Sequence, residues 1–113
     1  LVSSVLRIGE LEIYHEYRRV LMAGREVRLN HGEYAMLYCM ASAPGQVFSK
    51  AQLYAAAWGE EYLHGETSVE NIIWRLRRKL ESDPKHPDYI KTVLRAGYKM
   101  NNPMNKVVSP RSD

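Results

Sequence analysis

Three times in this chain an Asn, Ser or Thr stands three residues ahead of a Glu or Gln and opens a stretch of helical apolar spacing: Asn30 with Glu33, Ser49 with Gln52, Thr67 with Glu70. In such a pair the first side chain accepts the second residue's N–H while the second reaches back to the first residue's N–H, a capping box. Three helix starts follow, and the rest of the chain must fit around them. In the first helix Tyr34, Leu37 and Ala41 line one stripe with Met36 and Met40 beside it, and Pro44-Gly45 is the stop. In the second, Leu53 and Ala56 are expected to face inward and Gly59 ends the helix after Trp58. The third runs from Thr67 to "DPKHPD", where two prolines end it.

Strands flank the helices. "VLRIGELEIYHEYRRVLMAGREVRLN" predicts Val5–Ile8, Leu11–His15, Arg19–Met22 and Val27–Leu29 as an antiparallel meander with a turn at "AGRE". One face of such a sheet needs cover. "YIKTV", "LRAG" and "YKM" read as strand, turn and strand. The order is sheet, helix, helix, loop, helix, hairpin, an α+β arrangement that reads as a helix-turn-helix variant with a wing. Residues 1–4 read as a linker remnant, 5–100 as one domain and 101–113 as a flexible polar tail. The first residue is not Met, so an excised domain or processed fragment is expected.

Charge is uneven. Residues 1–66 carry six Lys or Arg and eight Asp or Glu, whereas residues 67–113 carry ten and five. The second half therefore suits a polyanion partner. At about 100° per residue, Val69, Ile73, Leu76 and Leu80 fall within one sector of about 60°, a core seam. Thr67, Asn71, Arg75 and Arg78 point away from it, with Ser68 and Trp74 on the shoulders and Arg77 and Lys79 flanking the seam. Hydroxyl, amide and guanidinium groups read base edges and bind phosphate. A plain solvated helix would mix charge signs more evenly than this one, and Lys91, Arg95 and Lys99 follow on the hairpin.

Other function classes find little support. No phosphate-cradling Gly-rich loop or nucleophile elbow is present. His15, His31, His64 and His86 lack metal-ligand spacing. No catalytic residue, metal or cofactor is therefore expected. The single Cys39 cannot form an internal disulfide and is expected as a buried inert thiol in a reducing compartment. No apolar run or leader-like segment points to a membrane. The rival reading is a winged helix that binds protein through Ile72 and Trp74.

The stretches "VRLNHGEYAML", "PGQVFSKAQLYAAAWG", "SVENIIWRLRRKLESDPKHPDYIKTV" and "AGYK", in this order and spacing, resemble the effector domain of the OmpR/PhoB family of bacterial two-component response regulators. The resemblance covers about Val5 to Met100. It implies a winged helix-turn-helix with a four-stranded N-terminal sheet, three helices and a C-terminal hairpin wing. It implies a cytoplasmic transcription regulator that binds double-stranded promoter DNA at tandem repeats. The third helix, about 67–82, would enter the major groove, and the wing, about 89–100, the adjacent minor groove or backbone. Carried over, the groove-facing positions are Thr67, Ser68, Asn71, Ile72 and Arg75. Phosphate or edge contacts fall on Trp74, Arg77 and Arg78, and on Thr92, Arg95 and Tyr98 in the wing. Trp58, Gly59, Glu60, Glu61 and Tyr62 begin the segment, running to Glu66, through which some members touch RNA polymerase. A receiver domain and a sensor kinase are further partners of the family, and nothing in this chain resembles a receiver. Departures are specific: Thr67 stands where many members have Arg, Asn71 and Ile72 are a pair of this chain's own, and "LRAG" replaces the commoner Arg-Gly-x-Gly tip.

Overall fold

Local chemistry near the N-terminus sets up a sheet. In the computed structural model, which describes residues 5–59 and 69–103, β1 (Val5–Ile8), β2 (Leu11–Tyr14), β3 (Arg19–Met22) and β4 (Arg25–Val27) form an antiparallel sheet in sequential order. Ile8, Leu11, Ile13, Val20 and Met22 are buried on one face, the alternation that a half-covered sheet requires. Ion pairs Arg7–Glu12 and Arg19–Glu26 lie on the exposed side and contribute little to stability.

Two strand limits differ from expectation. β2 stops at Tyr14 because His15 turns into a short 3-10 segment, stacks on Tyr38 at 3.9 Å and places its Nδ1 2.6 Å from the Tyr34 hydroxyl. β4 is Arg25–Val27, not Val27–Leu29. Ala23 and Gly24, with φ 53° and 80°, make a two-residue turn, so the ladder resumes at once with Met22 opposite Arg25 and Val20 opposite Val27.

The helices are α1 (His31–Ala41), α2 (Lys50–Trp58) and α3 (Val69–Leu80). Both described capping boxes form: Asn30 with Glu33 and Ser49 with Gln52. The Thr67–Glu70 box lies outside the described residues. Gly59 ends α2 in the left-handed conformation. On α2 the inward residues are Leu53 and Ala57, not Leu53 and Ala56, because a one-turn step of four residues tracks the core more closely than one of three. Cys39 is half-buried rather than buried, and its surroundings push the thiol pKa up.

Met36, Leu37, Met40, Leu53, Ile73, Leu76, Ile90 and Met100 meet in one core joining sheet, helices and hairpin. Each fully buried side chain of this size contributes about 1.5–3 kcal/mol relative to exposure. The hairpin, β5 (Ile90–Val93) and β6 (Gly97–Met100), does not stand alone. Phe48 and Tyr98 exchange two backbone hydrogen bonds, 2.8 and 2.9 Å, and Gly45 N–H donates to Met100 O. Among the described residues no helix is long and apolar enough to cross a membrane.

Candidate nucleic-acid interface

α3 follows the predicted seam and widens it. Val69, Ile73, Leu76 and Leu80 are buried, and so is Ile72, at 1% exposure. Ile72 sits beside the seam and faces α1, where its Cδ1 lies 3.4 Å from a Cβ built on Gly32. It therefore does not face a groove. Neither the groove-facing position that the resemblance implied for it nor its use as an apolar anchor for protein fits this burial: an isoleucine at this place completes the core.

The outward face is made by Asn71, Trp74 and Arg78, all exposed. Trp74 is 55% exposed and the Arg78 guanidinium lies over its ring, 4.9 Å from the centroid, a cation–π contact. Thr67 and Ser68, the first two positions expected on this face, lie outside the described residues.

Two of the expected phosphate and base ligands are engaged within the protein. Arg75 lies on the shoulder of the face and donates its Nε to Glu33 Oε2 at 3.0 Å. Arg77 turns the other way. Its Nε and Nη2 donate to Ile90 O at 3.1 and 2.8 Å, and Nη2 also donates to Thr92 Oγ1 at 2.8 Å. Burial lowers the Arg77 pKa against the opposing pull of Tyr98 and Glu81. In this arrangement Arg77 clamps α3 to the wing. Tyr98, expected among the wing contacts, is buried at 7% exposure, with the Arg77 guanidinium 5.7 Å from its ring centroid.

Two buried carboxylates hold this frame, and sequence reading gave neither a long-range role. Glu33 was visible as the acceptor of a capping box, but it also binds Lys79 Nζ at 2.7 Å. Burial pushes its carboxyl up, yet Lys79, the Asn30 N–H and Arg75 together hold it below the usual range. Glu81, just past α3, accepts the N–H groups of Asp88, Tyr89 and Ile90 at 2.7–3.1 Å. It fastens the root of the wing to the end of the helix. A Glu directly after a helix and ahead of a double-proline turn was the available signal.

The wing tip carries Thr92, Leu94 and Arg95 to solvent, Leu94 at 81% exposure. Lys91 and Lys99 face each other across the hairpin. Arg95 adopts φ 65°, a left-handed conformation unusual for a residue other than Gly. Between the tip and the N-terminus of α2 lies a cleft of about 440 Å³ lined by Ser49, Lys50, Thr92, Arg95 and Gly97 among others. Lys50 pairs with Glu70, tying α2 to the start of α3. Of the expected polymerase-contact segment only Trp58 and Gly59 are described. Trp58 is partly exposed, packed on Tyr54 with centroids 4.9 Å apart.

Residues 24–100 match the family model described as "Transcriptional regulatory protein, C terminal". This chain belongs to that family. It is 39% identical over 101 residues to the phosphate regulon transcriptional regulatory protein PhoB of Rhizobium meliloti, covering 89% of this chain and 44% of that protein. The chain thus spans less than half the length of that relative. Among solved structures it resembles the Klebsiella pneumoniae RstA DNA-binding domain in complex with the RstA box, with TM-score 0.79, 31% identity, and coverage of 88% of this chain and 98% of that one. The DNA-binding domain of CpxR from E. coli superimposes with TM-score 0.74 at 28% identity, covering 88% and 98%. The fold is the winged helix-turn-helix of OmpR/PhoB effector domains, with the four-stranded sheet, three helices and terminal hairpin in the expected order.

Proposed function

We propose that this chain is the sequence-specific, double-stranded-DNA-binding output domain of a transcriptional response regulator. α3 enters the major groove and the β5–β6 wing lies on the adjacent minor groove or backbone. The observation that carries this reading is the outward face of α3. Asn71, Trp74 and Arg78 are exposed there, Arg75 stands at the shoulder, and a hairpin with Lys91, Arg95 and Lys99 is fastened beside it. An α-helix fits the major groove, Asn suits adenine and Arg suits guanine through paired hydrogen bonds. The RstA domain bound to its box is a relative with the same architecture.

In this reading Asn71 and Arg75 read base edges, with Thr67 and Ser68 assigned to the same groove by family position. Arg78 and Trp74 contact phosphate and sugar, and Thr92 and Arg95 contact the backbone from the wing. Promoter sites arranged as tandem repeats, a receiver domain ahead of residue 5, its sensor kinase and an RNA polymerase contact through 58–66 belong to the same proposal. Residues 5–100 act as one domain, 1–4 as linker and 101–113 as tail.

Site selection from random duplexes tests the reading. Asn71→Ala and Arg75→Ala should each relax preference at one or two positions, and Arg78→Ala should weaken all sites alike. With ~4 phosphates contacted, log affinity should fall against log salt with a slope of about −3 to −4. The exposed Trp74 and Leu94 favour a second reading, a winged helix that binds protein, and a flat salt response would support it.

A further inference from the structure

We infer that Glu33 is a positioning residue that sets the base preference of α3 through Arg75. The inference rests on the reading of Arg75 as a base reader and adds a residue on a different helix, remote in sequence.

The two capping boxes among the described residues differ in what closes them. At α2 the reaching-back side chain is Gln52, and its amide oxygen alone closes the box, accepting Ser49 N–H at 2.8 Å. At α1 the same place is held by Glu33, whose side chain is 1% exposed. Its Oε1 does what Gln52 does, accepting Asn30 N–H at 3.0 Å, and also takes Lys79 Nζ. The cap therefore needs neither a second oxygen nor a charge, and burying a charge is costly unless it is paired. Oε2 has another partner: Arg75 Nε at 3.0 Å.

That contact decides how the guanidinium is presented. Arg offers five N–H donors in a rigid planar fork. Glu33 takes only Nε and is Arg75's one hydrogen-bond partner among the described residues. The two terminal nitrogens are left as a donor pair on a side chain that stays 44% exposed beside Asn71. Guanine O6 and N7 accept such a pair. A side chain already held in one arrangement loses less freedom on binding than one that must choose. Released from Glu33, Arg75 could swing to a phosphate, which supplies affinity without sequence information.

Glu33→Gln separates the two roles of the carboxylate. Its oxygen can keep Asn30 and Lys79, as Gln52 keeps its own box, while its amide nitrogen meets Arg75 Nε donor to donor. Site-selection profiles are measured for the parent, Glu33→Gln, Arg75→Ala, the double variant and Arg75→Lys, each first checked for a cooperative thermal transition. One bidentate contact discriminates by roughly five- to a hundredfold. The expected result is that Glu33→Gln loses at least about fivefold of the preference at the position that Arg75→Ala relaxes, with affinity for non-cognate duplex equal or higher. The double variant should match Arg75→Ala. Arg75→Lys, which keeps the charge beside Glu33 but has no fork, should lose the same preference while retaining stability. A parent-like profile in Glu33→Gln, or a uniform loss at all sequences, overturns the inference while leaving Arg75 as a reader. A parent-like profile in Arg75→Ala overturns the reading of Arg75 itself.

Discussion

Gly97→Ala should detach the wing from the body of the domain. Gly97 opens β6 at φ 143°, and a Cβ placed there would lie 1.9 Å from the Phe48 carbonyl oxygen and 2.9 Å from Ser49 Cα. Both obstacles are backbone, so no side chain can swing away. The strand must retreat by more than an ångström, which breaks the paired Phe48–Tyr98 hydrogen bonds. Two such bonds contribute about 2 kcal/mol. Holding Ala in a backbone region suited to Gly costs a further ~1–3 kcal/mol. The expected loss is about 3–5 kcal/mol, a large share of a total near 5–15 kcal/mol. At an m-value of about 2 kcal/mol/M the urea midpoint falls by about 2 M. Equilibrium unfolding followed by far-UV circular dichroism measures it. A loss below about 1 kcal/mol would mean that the wing does not depend on this close approach and that its placement beside α2 has been misjudged.

Other outcomes follow from the same contacts. Ile72→Ala should cost about 2–4 kcal/mol of stability and leave the site-selection profile unchanged, since Ile72 is core. A changed base preference would return it to the groove. Glu81→Ala strands the N–H groups of Asp88, Tyr89 and Ile90 and should cost about 3 kcal/mol or more, with hydrogen-exchange protection lost first in β5. Uniform loss of protection would argue against a local anchor. Glu33 has a lowered folded-state pKa, so its contribution is present above the unfolded value of about 4.3 and disappears as pH falls through the folded value. Stability of the parent should decline more steeply in acid than that of Glu33→Gln. Parallel acid profiles would show that Glu33 gains nothing from its charge.

What the sequence could reveal depended on how far the deciding interaction reached. Asn30 with Glu33 and Ser49 with Gln52 were legible because a capping box closes within four residues. The α3 seam was legible because Val69, Ile73, Leu76 and Leu80 repeat along one helix. The limits of β4 were misplaced because pairing across the Ala23-Gly24 turn, not strand propensity, chooses where a ladder begins. Ile72 was misassigned because α1 widens the buried sector on one side of the seam, which periodicity within α3 does not encode. Periodicity put Arg75 on the outward face and Arg77 beside the seam but named a partner for neither, because those partners, Glu33 and the Ile90 carbonyl, lie 42 and 13 residues away. The outward position of Asn71, Trp74 and Arg78 was legible from the helix period, while the internal partners of Arg75 and Arg77 came only from packing.

Amide shift mapping during titration with a duplex recovered by site selection, at moderate salt, tests the central claim most directly. The account predicts the largest perturbations at Asn71, Trp74, Arg75 and Arg78, with a second group at Thr92, Leu94 and Arg95 and little change along β1–β3. Perturbations concentrated on the β1–β4 sheet, with the outward face of α3 unmoved, would contradict it.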